Sequence, residues 1–348
     1  MAVGYPLSRK YVLTHQAPLR FNENGEFRIL HLSDIHKIHP EMQNELKYSD
    51  HAAEKSEKTL ECIRKCVEEA KPDLVVFGGD YIQGYVHGWT YEYLTWCLDR
   101  ITAPIREKNI PLAIVFGNHD AEQEPECPVL SKEIQLTLFM NYNEFRGCYN
   151  EEEMYGAGNC HLPVYAKDSN DVLWNIWCVD SNDVRRNEDY SRLKGDAAVD
   201  KSQIDWYERT VAMEKEKFGR MIPAILFQHI PVNQVWDHIE QCGADEADFK
   251  WNDKYFHTKE GLLKEGLLRE RPCTSPSRDQ FEAWKRCGDI RAAFFGHDHT
   301  NTFRYDVDGI SLYQTVTCGY ENYGIEHGGR LIVLHDDGKT IETKMIIA

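Results

Sequence analysis

Short, uninterrupted apolar runs recur along this chain, and nearly all of them stop at side chains that bind metals. FRILHLS (27–33), DLVVFGG (73–79), PLAIVFG (111–117), VLWNIWCVD (172–180), IPAILFQ (222–228) and IRAAFFG (290–296) lack the polar alternation of a strand with one wet face. They read as strands buried on both sides, the pattern of a sheet covered by helices. Helical spacing fills the gaps. Lys55 to Ala70 places Leu60, Ile63, Cys66, Val67 and Ala70 on one face. Thr90–Glu107, disturbed near Pro104, Ser131–Phe145, Lys201–Phe218 and Ser277–Arg286 are also expected helices. The tail, from NTFRYDVDG to TIETKMIIA, is all strand and turn. The expected class is α/β with an α+β-like tail. No linker divides it, so residues 27–348 are expected to form a single domain after an N-terminal extension, 1–26. The polar stretch 241–277, with RPCTSPS, is the least regular and reads as an insertion or lid over the site.

Composition excludes several classes. Over 348 residues the net charge is −17, which argues against a long nucleic acid as partner, because phosphate backbones need a basic face. No stretch approaches the ~18–20 apolar residues that span a bilayer, and the first residues lack the apolar core of a secretory signal, so the chain reads as cytoplasmic and not membrane-bound. The 11 cysteines form no CxxC pair and are expected to be reduced thiols.

The chemistry sits where the strands stop. The first run ends in Asp34-Ile35-His36, the second in Gly79-Asp80, the third in Gly117-Asn118-His119-Asp120, the fifth in Gln228-His229 and the sixth in Gly296-His297-Asp298-His299. Open α/β sheets bind their ligands at the carboxyl ends of strands. Residues two apart on an extended chain point the same way, so Asp34/His36 and His297/His299 each offer two donors to one side, or straddle adjacent metals if the strand has just ended. Each signal alone is ordinary. Asn, His and Asp are common in turns, and an HxH can be a surface pair, a structural zinc site or the opening motif of an amidohydrolase barrel. In that barrel the motif opens the first strand, whereas here it comes near the end. Five signals in one order, each after a buried run, point to a metal site. Two carboxylates, neutral His and Asn donors, two divalent cations and one hydroxide leave a net charge of about +1, which suits a phosphate oxyanion. The mixed O and N donors favour Mn, Fe or Zn over Ca or Mg.

This motif series resembles that of the calcineurin-like metallophosphoesterases. Softer similarities, YGAGNCHLPVY (155–165), VDSND (179–183), QIDWYE (203–208), QHIPV (228–232) and GYENYG (319–324), resemble the branch similar to purple acid phosphatases. The resemblance implies a four-layer αββα sandwich with two mixed β-sheets and two divalent metal ions. Asp34, His36, Asp80 and His299 are expected to hold one ion, and Asp80, Asn118, His229 and His297 the other, with Asp80 bridging. A metal-bridging hydroxide is expected to attack a phosphate mono- or diester in line. His119 is expected to face the substrate and assist the leaving oxygen, with Asp120 orienting it. Purple acid phosphatases carry GDxxY, whose tyrosine binds ferric iron. Here Gln83 stands in that place, so no tyrosinate–iron colour is expected and Mn(II), Fe(II) or Zn(II) is favoured.

Lys37, His39, His87 and Arg185 follow ligand-bearing strands or lie in loops, and are expected candidates for substrate contact. The expected substrate is a small phosphorylated compound or a phosphoprotein. Two other readings stay open: a non-catalytic protein-binding scaffold on the same fold, and a metal hydrolase acting on a non-phosphate bond.

Overall fold

The computed structural model describes residues 17–45, 51–124, 126–150, 154–186 and 192–348, without the side chains of 44–45, 184–186 and 192–196. Five strands form one sheet in the order β18 (Ile341–Ile347), β17 (Gly328–His335), β2 (Glu26–Leu32), β3 (Leu74–Phe77) and β4 (Leu112–Ile114). Eight form a second: β1 (Leu19–Arg20), β5 (Cys160–Tyr165), β6 (Val172–Cys178), β9 (Ala224–Phe227), β14 (Ile290–Phe295), β16 (Ile310–Gln314), β15 (Arg304–Val307) and β13 (Leu263–Glu265). The centres, β2–β3–β4 and β6–β9–β14–β16, are parallel. Antiparallel partners β17, β18, β5 and β15 flank them, so both sheets are mixed.

Alternation along the strands builds the layers. In β2 and β3, Leu30, Leu32, Val75 and Phe77 point outward and pack on Leu60, Ile63, Val67, Leu98 and Ile101. Those residues come from α1 (Ala52–Ala70) and α2 (Tyr91–Arg106). Their neighbours Ile29, Leu74 and Val76 point inward and meet Trp174, Ile176, Ile225, Phe227 and Phe294 of the other sheet. Beyond that sheet, Trp177, Leu226, Ala293 and Phe295 pack on Trp206, Val211, Phe281 and Trp284. These belong to α4 (Lys201–Phe218) and α5 (Asp279–Cys287), which follow α3 (Lys132–Phe139). The order is therefore helix, sheet, sheet, helix, and burial on both faces explains why the strand runs read as continuously apolar.

The helices start where local chemistry satisfies their free N–H groups. Asp200 and Gln203 form a reciprocal capping box at α4, and Thr90 and Ser131 accept from the backbone N–H of Tyr93 and Ile134. Helix α2 runs through Pro104 and stops two residues later, because proline disturbs only its last turn. Helix α3 ends at Phe139 rather than Phe145. Beyond it the chain turns so that the Phe145 ring stacks on Phe139 and Arg146 N–H donates to Leu112.

Two expected boundaries look different in three dimensions. Within the expected extension 1–26, Leu19–Arg20 pairs in parallel with β5, and Leu19 and Phe21 are buried between the sheets. Overlapping 241–277, β10 (Ile239–Cys242), β12 (Lys254–Thr258) and β11 (Phe249–Trp251) form a separate antiparallel sheet, while β13 joins the edge of the large one. Aromatic residues Trp236, Phe249 and Phe256 hold this small sheet together, a stabilisation that its polar composition concealed. The antiparallel ribbon β7 (Val184–Arg186) with β8 (Arg192–Asp196) completes the strands. Among the described residues no helix is long and apolar enough to cross a membrane.

Candidate metal centre

The carboxyl ends of β2, β3, β4, β9 and β14 meet at one edge of the two sheets, and their terminal side chains converge there. The loops after β2 and β3 are zipped together, with Asp34 N–H donating to Gly79 and His36 N–H to Asp80. Asp34, His36, Asp80 and His297 all carry positive φ (55°, 50°, 51° and 78°), a costly conformation for residues with a Cβ. The surroundings enforce it. The Asp34 carbonyl accepts from Gly319 N–H, Thr317 Oγ1 and Asn322 Nδ2. Close approach also needs glycine: a Cβ on Gly296 would lie 1.8 Å from Ser33 Oγ, and one on Gly117 would lie 2.2 Å from Asp80 Oδ1.

Two groups of donor atoms that share a carboxylate result, and a third, Cys273, His297 and Asp298, adjoins them. Asp34, His36, Asp80 and His299 bring theirs within 4.8 Å of one another, and so do Asp80, His229 and His297. Asp80 belongs to both of these. His36 and His299 face each other with their Nε2 atoms 3.1 Å apart, Asp34 Oδ1 lies 3.3 Å from His299 Nε2, and Asp80 Oδ2 lies 3.1 Å from His229 Nε2. Asp34 and His36 thus enter one group, while His297 and His299 straddle the two.

The donor set fits cations. Asp80 Oδ2, Asn118 Oδ1 and His229 Nε2 are buried without a hydrogen-bond partner, a costly state unless something charged sits before them. His229 Nδ1–H donates to the Gly78 carbonyl at 2.8 Å, which leaves Nε2 as the ring atom that faces Asp80 and that a cation could claim by displacing its proton. Burial pushes His36 and His297 down to about 3, so both stay neutral, the ligand form. Burial opposes charge on His229 too, but Asp80 and Asp34 outweigh it and raise that imidazole to about 10. Burial likewise opposes charge on Asp34 and Asp80, yet the facing histidines hold both below the usual carboxylate range.

His119 lies beside the cluster but in neither group. Its backbone N–H donates to Asp80 Oδ1 at 2.7 Å, and its ring, 30% exposed, sits 5.5 Å from the His36 ring and 5.1 Å from Tyr85. The expected Asp120–His119 pairing is not what holds the ring. Asp120 spends its carboxylate on the backbone N–H groups of Gly117, Asp80, Tyr81 and Ile82, stapling two strand-end loops together. Glu122 takes the expected place: its Oε2 meets His119 Nδ1. The sequence signal was available, a carboxylate three residues after the histidine in a turn. Burial lowers the His119 pKa, but Asp80 and Glu122 outweigh it and raise it. Removing Glu122 must therefore lower it. If the protonated ring is the active form, Glu122→Gln is expected to shift the alkaline limb of the kcat profile to lower pH and to reduce kcat about tenfold or more. An unmoved limb would separate Glu122 from His119 function.

The expected substrate contacts fare less well. Lys37 is buried and turned inward, its ammonium held by Ser56 and 3.9 Å from Glu321. Fully buried and held by these partners, it is not placed to reach a substrate. His39 stacks on Tyr93, 4.0 Å between centroids, and abuts Trp96, packing on α2 instead of joining the cluster. His87 is exposed in the turn after β3, and the Arg185 side chain lies outside the described residues. Gln83 is buried, donating Nε2–H to the Glu321 carbonyl.

The chain is similar to known proteins. The calcineurin-like phosphoesterase pattern matches residues 27–301, from the first strand run to just beyond His299. The chain belongs to that family. Among its relatives are the "probable inactive purple acid phosphatase" 14 and 28 of Arabidopsis thaliana, 25% and 26% identical over 88% of this chain and 74% of each relative. The phosphatase DCR2 of Saccharomyces cerevisiae is 29% identical over 47% of this chain and 28% of its own. In fold the chain is similar to a dimetal phosphatase from Danio rerio (TM-score 0.55, 13% identity, 91% of this chain and 98% of that one). Membership of the family, the mixed α/β fold and the clustered Asp and His donors agree with one another.

Proposed function

We propose that this protein is a dinuclear metal-dependent phosphoesterase that hydrolyses a phosphate mono- or diester. The observation that carries the reading is the shared carboxylate: Asp80 enters both donor groups, and its buried Oδ2 has no hydrogen-bond partner. Asp34, His36, Asp80 and His299 would hold one cation, and Asp80, Asn118, His229 and His297 the other. Such cations supply Lewis-acid polarisation of a phosphoryl oxygen and acidify water at neutral pH. The remaining work falls to the chain itself. The left-handed loops fix the donors before substrate arrives, so little reorganisation is needed. His119, steadied through Nδ1 by Glu122, keeps its other ring nitrogen for the substrate, so that a proton would pass from it to a leaving alkoxide.

The names of the Arabidopsis relatives make a non-catalytic scaffold the second reading. Against it stands the donor set, in which every position of the motif series still carries a ligating side chain. Elemental analysis of the purified protein, combined with mono- and diester substrates and added Mn(II), separates the two. We expect about two bound Mn, Fe or Zn ions per chain, turnover abolished by chelation and restored by Mn(II), and no visible charge-transfer band, because Gln83 occupies the tyrosine position. Full metal occupancy with no ester cleaved would support the scaffold, and a strong visible band would refute the metal assignment. The substrate is proposed to be a small phosphorylated compound or a phosphoprotein, the net charge of −17 disfavouring long nucleic acids.

A further inference from the structure

The cations near the cluster are mostly committed to carboxylates. Lys37 faces Glu321, Lys132 pairs with Asp180 at 2.9 Å, and Arg269 pairs with Glu326 at 2.8 Å. Arg271 differs. Among the described residues no carboxylate lies within ion-pair distance of it. Its guanidinium carbon lies over the Trp251 ring, 4.6 Å from the centroid, and Nη1 reaches Cys273 Sγ at 3.7 Å. Cys273 in turn stands at the cluster. Its backbone N–H donates to Asp298 Oδ1 at 3.1 Å, and its sulfur lies within 4.8 Å of a ring nitrogen of His297. The Arg271 nitrogen is therefore at most about 8.5 Å from that His297 nitrogen.

The brace for Arg271 comes from the segment that sequence reading left irregular. Trp251 ends β11 and packs on Trp236 and Phe256, so the small three-stranded sheet presents an aromatic platform to Arg271. An exposed arginine normally spends rotamer entropy to bind an anion. Here the ring and the sulfur already hold the guanidinium in place beside Cys273, so less entropy is lost on binding. A planar guanidinium takes carboxylate or phosphate oxygens through two parallel N–H donors.

We infer that Arg271 binds a second anionic group on the substrate, so that this site prefers phosphate esters carrying a carboxylate or a further phosphate one short spacer away from the phosphorus. The inference rests on the phosphoesterase reading for the location of the first phosphate. It adds a substrate class, doubly anionic esters, and a residue that selects it.

The test compares matched probes on the Mn(II)-loaded full chain. Phenyl phosphate and 4-carboxyphenyl phosphate report kcat/KM. Propyl phosphate and propane-1,3-diyl bisphosphate report affinity by calorimetry. In the wild type the doubly anionic member of each pair is expected to win by about tenfold, the scale of one charge-assisted hydrogen-bonded pair. Arg271→Gln should collapse both ratios toward unity, and Arg271→Lys should retain part of them, with unfolding temperature and metal content matching the wild type. A preference in only one arm identifies the second group as carboxylate or phosphate. Ratios unchanged in Arg271→Gln, or absent in the wild type, overturn the inference and leave the phosphoesterase reading intact. If neither ester is cleaved, the monoesterase form of that reading fails, while the calorimetric ratio still decides the role of Arg271.

Discussion

Asp80→Asn is expected to strip the centre of metal and lower kcat/KM by about 10³-fold or more, because one carboxylate serves both donor groups. The substitution is nearly isosteric. It retains an acceptor for the His119 N–H, and the Asp120 staple to the backbone of residue 80 does not involve the side chain being changed. The fold should therefore survive, and far-UV dichroism with thermal unfolding of the metal-free proteins checks that. What is lost is the negative charge between His229 and His36, which lie 3.1 and 3.7 Å from Oδ2. Elemental analysis after gel filtration should show metal content well below that of the wild type. A variant that keeps both its metal and its turnover would end the claim that Asp80 bridges.

His119→Ala should leave metal content unchanged and reduce kcat by roughly 10²–10⁴-fold, the usual contribution of a positioned general acid. The ring lies outside both donor groups, so its loss removes no ligand. Its backbone N–H, which holds Asp80 Oδ1, is retained. The deficit should depend on the leaving group. An alkyl phosphate, whose alkoxide leaves poorly without a proton, should lose most, and an activated aryl phosphate least. A loss equal for both esters would assign His119 to charge stabilisation instead of proton transfer. Unchanged rates would remove it from the chemistry.

Much of this was legible in the chain because two periodicities coincide. Strand runs buried on both faces are continuously apolar, so β2, β3, β4, β9 and β14 stand out against helical spacing. Their carboxyl ends are where parallel strands open onto a common edge, so the polar residue that ends each run is also the residue that enters the site. Asp34, His36, Asp80, His229, His297 and His299 follow from that rule. The polar 241–277 segment hid its small sheet for the opposite reason. Its stabilising contacts are aromatic pairs made across turns, which neither strand nor helix spacing reveals.

Sequence alone determined the class of fold, the edge at which the site forms and the donor types that fill it, because all three follow from local pattern and from a side chain's own chemistry. Tertiary structure alone decided direction. Once a strand ends in left-handed residues the two-residue alternation no longer applies, and what a side chain meets depends on segments far away in sequence. That is why Lys37 turns into the core toward Ser56 and Glu321, why Asp120 staples backbone amides and cedes His119 to Glu122, and why Arg271 comes near His297 from a stretch that read as an insertion or lid.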